Sequence, residues 1–70
     1  MERIAVKSRD IAIVGYDAKK HLLEIALRGG GVYHYQQVPQ DVYVGLMQAD
    51  SQGTYFNRKI KDQYPYIKIS

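Results

Sequence analysis

The stretch LLEIALRGGGVYHYQ, residues 22–36, decides the architecture. In its first half Leu23, Ile25 and Leu27 alternate with Glu24 and Arg28. A period of two sends those apolar side chains to one face of an extended chain, which makes a half-buried strand. Gly29, Gly30 and Gly31 follow, and three glycines supply the positive φ angles of a tight reversal. Val32 to Gln36 then returns as a second strand, with Tyr33 and Tyr35 on one face and Val32, His34 and Gln36 on the other.

Upstream, Ile11-Ala-Ile-Val-Gly-Tyr16 is short, apolar and rich in β-branched residues, and Asp17 punctuates it. It predicts a third strand, covered on both faces or placed centrally, and so an antiparallel meander. Downstream the period changes. Pro39 suits the first turn of a helix and Asp41 complements the positive end of its dipole. Val42 and Leu46, with Tyr43 and Met47, form i, i+4 pairs that can cover the sheet. Gly45 weakens that helix by about 1 kcal/mol relative to alanine, so packing must hold it. Ser51 or Asp50 caps a second helix running to about Asp62, with Phe56 and Ile60 buried and Arg58, Lys59 and Lys61 facing water. Tyr64 precedes Pro65 and leaves helical geometry. Ile67 and Ile69 alternate with Lys68 as a short edge strand. The expectation is one α+β domain over residues 1–70: a three-stranded antiparallel meander followed by two short helices, with an extra edge strand from the termini.

Seventy residues, 46% of them hydrophobic, suffice for one small core, and the formal net charge of +3 argues against disorder. With no cysteine there is neither a disulfide nor a thiolate nucleophile. The longest apolar run, Ile11 to Gly15, is too short to span a bilayer, and Met1-Glu2-Arg3 opens no signal-peptide pattern. A cytoplasmic protein without a membrane partner is expected. The charge is uneven: Lys and Arg dominate residues 1–20 and 54–70, whereas Arg28 is the only cation of residues 21–53. If the two ends met, they would form one basic surface attractive to phosphates.

These pieces resemble the KTSC domain, a family found at the C-terminus of certain lysyl-tRNA synthetases and as free-standing small proteins of bacteria or phage. The resemblance rests on Ile11 and Val14-Gly15-Tyr16-Asp17, then Leu23 to Arg28 leading through glycines into Val32-Tyr33-His34-Tyr35. It continues through Val38-Pro39, Val42-Tyr43, Leu46, Gly53-Thr54-Tyr55-Phe56-Asn57, Ile60 and Tyr64-Pro65-Tyr66. Their order and spacing carry it over roughly residues 6–67, and Tyr33-His34-Tyr35 matches the family's central Tyr-x-Tyr. The resemblance implies no established activity, and RNA binding is the role suggested for the family.

Two roles are open to Tyr33 and Tyr35. Paired aromatics on a strand can stack bases, as in sheet-based RNA readers. Alternatively they cover the core opposite Leu23, Ile25 and Leu27, which suits a chain too small to leave large rings idle. In that case Glu24, Arg28, His34 and Gln36 share the solvent face, where Arg28 and His34 can touch phosphate or a partner. Arg58, Lys59 and Lys61, interleaved with Tyr55, Tyr64 and Tyr66, form the strongest basic-aromatic mixture. With Lys7, Arg9, Lys19 and Lys20 they are expected to line an electrostatic groove for RNA or another single-stranded nucleic acid. A protein partner or a second copy, met by the sheet, is the alternative. No catalytic residue is expected, because Ser8, Ser51 and Ser70 lie in no nucleophile motif and Asp41 and Asp50 bracket a helix. His21 and His34 have no metal-site spacing, and the glycine triplet leads into a strand rather than a phosphate-binding helix, so no metal or cofactor is expected.

Overall fold

A strand from each terminus extends the expected three-stranded meander to a five-stranded sheet. In the computed structural model, which describes residues 1–70, the elements run β1 (Glu2–Ala5), β2 (Ile11–Asp17), β3 (Leu22–Leu27), β4 (Val32–Tyr35), α1 (Gln40–Gln48), α2 (Gln52–Lys59) and β5 (Tyr66–Lys68). All neighbouring strands are antiparallel and the spatial order is the chain order. Both termini therefore add strands, but at opposite edges, so the two basic ends do not meet along the sheet.

The inner face of the sheet carries Val14, Leu23, Ile25 and Tyr35, and the helices close it with Leu46, Phe56 and Ile60. A register shift between Ile11 and Ile13 turns Ile11 into this core and leaves Ile13 37% exposed on the other face. That bulge explains how a strand with apolar residues on both sides packs on only one. Tyr16 reaches α1, where its ring stacks on Tyr43 at 4.6 Å and its hydroxyl donates to the carbonyl of Val38 at 2.6 Å.

The helix signals read from the sequence hold with two shifts. Pro39 is the residue just before α1, extended at ψ 154°, and its carbonyl accepts from the amides of Val42 and Tyr43. Ser51 caps α2, its hydroxyl accepting from the amide of Thr54 at 3.3 Å. The helix stops at Lys59 instead of Asp62, because the amides of Ile60 and Lys61 both turn back to the carbonyl of Phe56. Gly45 has its reason in packing: a Cβ there would strike the phenol of Tyr55, so the missing side chain lets α2 lay that ring on α1. No helix is long and apolar enough to cross a membrane.

Candidate functional site

Strand pairing assembles an aromatic floor. Tyr33 and Tyr35 share the inner face of β4, and the register of β5 sets Tyr66 opposite Tyr35. The ring centroids lie 6.4 Å apart for Tyr33 and Tyr35, 5.7 Å for Tyr33 and Tyr66, and 5.4 Å for Tyr35 and Tyr66. They line a groove of about 590 Å³ whose far wall is Phe56 and Asn57 of α2 with Lys61 and Asp62 just beyond it. The near wall is the β3–β4 turn at Gly29 and Gly30, joined by Arg9 and Asp10 from the β1–β2 loop. Gly30 has φ +114°, as the reversal demands.

The three rings differ in depth. Tyr66 is 55% exposed, Tyr33 is half-buried, and Tyr35 is 3% exposed beneath an edge-on contact with Phe56 at 5.5 Å. The choice between core and platform thus divides: Tyr35 belongs to the core, while Tyr33 and Tyr66 rise from it. Burial pushes the Tyr35 phenol up to about 12, helped by Tyr66, Tyr33 and Asp62. The hydroxyl is consequently neutral at physiological pH. It makes no hydrogen bond within the chain and is not sealed from solvent, so it opens onto the groove. The charged lining is balanced, with Arg9 and Lys61 against Asp10 and Asp62.

The expected cationic surface is dispersed. Arg58 and Lys59 lie with Tyr55 and Asp50 along a shallow hollow of about 240 Å³ on the other side of α2. Lys7 and Arg9 line a polar cleft of about 350 Å³ beside Ser51 and Gly53. Lys19 and Lys20 sit in the β2–β3 turn, their amides held by the Asp17 carboxylate, at the opposite end of the sheet from Arg9. Tyr55 packs on Gly45, and Tyr64 is half-buried against the core. Of the basic-aromatic segment, only Lys61 and Tyr66 join Tyr33 and Tyr35. Asn57, Asp10 and Asp62 complete the groove, and their types alone give no hint of it.

The outer face departs from a plain wet surface. Arg28 does not project to a ligand, since its Nε donates to the carbonyl of Ser8 at 2.6 Å and Nη2 to that of Val6 at 2.7 Å. It holds the β1–β2 loop. Glu24 is buried rather than exposed, with 8% of its side chain accessible. Arg3 pairs with one of its oxygens at 2.6 Å and His34 meets the other at 2.9 Å. His34 is therefore engaged and three-quarters covered. No group of three or more histidine and carboxylate side chains comes together as metal ligands.

The KTSC domain family model matches residues 7–64 of the chain. A protein of Stutzerimonas stutzeri is 39% identical over 70 residues, covering 99% of both chains. A protein of Tsukamurella paurometabola is 34% identical over 64 residues, covering 91% of this chain and 96% of its own. A lysine–tRNA ligase of Nostoc punctiforme is 36% identical over 55 residues, which cover 79% of this chain but 10% of the ligase. Among solved structures, a KTSC domain protein from Yersinia pestis superposes with a TM-score of 0.96 at 36% identity, covering 99% of this chain and 97% of the other.

Proposed function

This chain belongs to the KTSC domain family, and we propose on that premise that it is a small non-catalytic binding module for single-stranded nucleic acid, RNA foremost. The observation that carries the reading is the groove, which sets Tyr33 and Tyr66 beside Arg9 and Lys61. Bases stack on accessible rings for about 1–3 kcal/mol each, while lysine and arginine neutralise neighbouring phosphates. One relative is by its name a lysine–tRNA ligase, an enzyme that acts on an RNA, and it carries a related segment as a tenth of its length. A non-catalytic role is supported by the occupation of the usual reactive groups. Ser51 caps α2, and Ser8 accepts from the amides of Asp10 and Ile11, so neither hydroxyl is free as a nucleophile. A cytoplasmic setting accompanies this reading.

The test is an NMR titration of the labelled protein with short single-stranded RNA at low and moderate salt. Shifts clustered on Arg9, Tyr33, Asn57, Lys61 and Tyr66, weakening as salt rises, support the proposal. An unchanged spectrum at low salt overturns it.

A second reading, association with a protein, is favoured by the outer sheet face, where Ile13, Ile67 and Ile69 are 37%, 53% and 51% exposed. Concentration-dependent sedimentation that is lost on changing Ile67 and Ile69 to threonine would support it. A constant monomer mass would count against self-association.

A further inference from the structure

We infer that the groove is a pocket for a single unpaired nucleobase, whose polar edge is met by the hydroxyl of Tyr35 while its ring lies against the wall formed by Tyr33 and Tyr66. This inference rests on the nucleic-acid reading above and names the part of the ligand that the site recognises.

Four observations converge on it. Tyr16 spends its phenol within the protein, on the carbonyl of Val38. Tyr35 is more deeply buried than Tyr16, yet its hydroxyl has no partner within the protein and opens onto the groove. A donor so placed matches a ring nitrogen or a carbonyl oxygen, the acceptors that nucleobases carry on their edges.

Size is the second observation. About 590 Å³ falls in the range of small-molecule sites, roughly 300–1,000 Å³, and is enough for one base with its sugar. The third is charge. Arg9 and Lys61 can each meet a phosphate, but Asp10 and Asp62 balance them in net charge, so selectivity among strands falls to the base itself. The fourth is the arrangement of rings: Tyr66 is 55% exposed and lies edge-on to Tyr33 at 5.7 Å. A base can lie against such a wall only after leaving its own stack, which selects single strands over duplexes.

Three RNA probes of equal length and charge test the proposal against the intact chain: a single strand, the same strand with abasic sugars, and a blunt duplex. The single strand is expected to bind at least tenfold more tightly than either of the others. Tyr35→Phe, which preserves the buried ring, is expected to weaken binding about three- to tenfold and to reduce discrimination among the four homopolymers. A role limited to packing would leave that discrimination unchanged. Tyr66→Ala, at an exposed edge, removes one ring of that wall without emptying the core and is expected to weaken all homopolymers alike. Equal binding of the single strand and its abasic form would overturn the base pocket while leaving the nucleic-acid reading standing. Failure of all three probes at low salt would overturn both.

Discussion

Arg3 crosses the backbone of Gly15 to reach Glu24, its Nε lying 2.6 Å from Oε2 and its Nη2 3.3 Å from Oε1. The sheet register explains the route: Arg3 stands opposite Gly15, Gly15 opposite Glu24, and Glu24 opposite His34. A residue without a side chain in the second row leaves a lane along which β1 communicates with β3. The pair ties down an edge strand whose own four residues are all exposed.

Acid should loosen this tie. Hydrogen bonding from Arg3, and more weakly from His34, holds the Glu24 carboxyl below its ordinary value of 4.5, although burial pulls the other way. A carboxylate with a depressed folded pKa contributes stability that is full above the unfolded pKa and is lost as pH falls through the folded one. Thermal unfolding followed from neutral to acid pH is expected to show a falling midpoint below the ordinary carboxylate range. Glu24→Gln should lower the midpoint at neutral pH and flatten that acid limb; parallel curves would contradict the assignment.

Closing the lane should silence Arg3. A Cβ on Gly15 would already meet Met1 Sδ at 2.8 Å and Arg3 Cγ at 3.3 Å, and the branches of a valine would obstruct the guanidinium's path. In a double-mutant cycle, Arg3→Ala is expected to reduce stability in the parent and to have almost no effect beside Gly15→Val.

Gly45→Ala separates helix propensity from packing. Propensity alone favours alanine by about 1 kcal/mol. The Tyr55 phenol occupies the place of the new methyl group, and overpacking typically costs about 1–3 kcal/mol. Net destabilisation is expected on denaturant unfolding. The same substitution in a Tyr55→Ala background should be neutral or stabilising.

The hydroxyl of Tyr16 satisfies the carbonyl of Val38, a residue with no exposure at all. Tyr16→Phe keeps the stack on Tyr43 but leaves that carbonyl unpaired, at a cost of about 1–3 kcal/mol. In a domain of this size each kcal/mol lowers the melting midpoint by about 4–8 °C, which calorimetry resolves readily.

If RNA binds in the groove, its cations should count and distant ones should not. Lys61→Ala and Arg9→Ala are each expected to reduce the slope of log K against log salt by about 0.7, the increment for one phosphate contact on a single strand. Lys19→Ala and Lys20→Ala, at the far end of the sheet, should leave the slope unchanged.

The central hairpins were legible because their chemistry is local. Period-two alternation across residues 22–36 and three consecutive glycines dictate strand, turn and strand without help from elsewhere, and Ser51 announces α2 equally directly. β1 was legible only as a terminal segment pairing at an edge, without bounds, because Glu2, Arg3, Ile4 and Ala5 are all exposed and show no pattern. Its strand character comes from backbone pairing with β2 and from the reach of Arg3 to Glu24 in β3. The same limit applies at the groove. Alternation puts Tyr33 and Tyr35 on one face, but their different depths depend on where Phe56 arrives from α2. The grouping of Arg9 with Lys61 depends on how the first loop of the chain meets the end of the last helix. The burial of Glu24 follows from a register that no single strand encodes.

β4 and β5 are neighbours in the sheet, yet the whole helical layer intervenes between them along the chain. Every other strand pairing closes over a short turn, whereas this one must close a long loop and carries the greatest entropic penalty of closure. β5 offers three exposed residues in return. It is the segment whose amides should exchange with solvent first, through local opening that leaves the hairpins intact. Because Tyr66 travels with it, the groove opens and closes with that strand. A ligand seated there would be felt as slowed exchange along Tyr66–Lys68, so that occupancy and completion of the sheet become a single equilibrium.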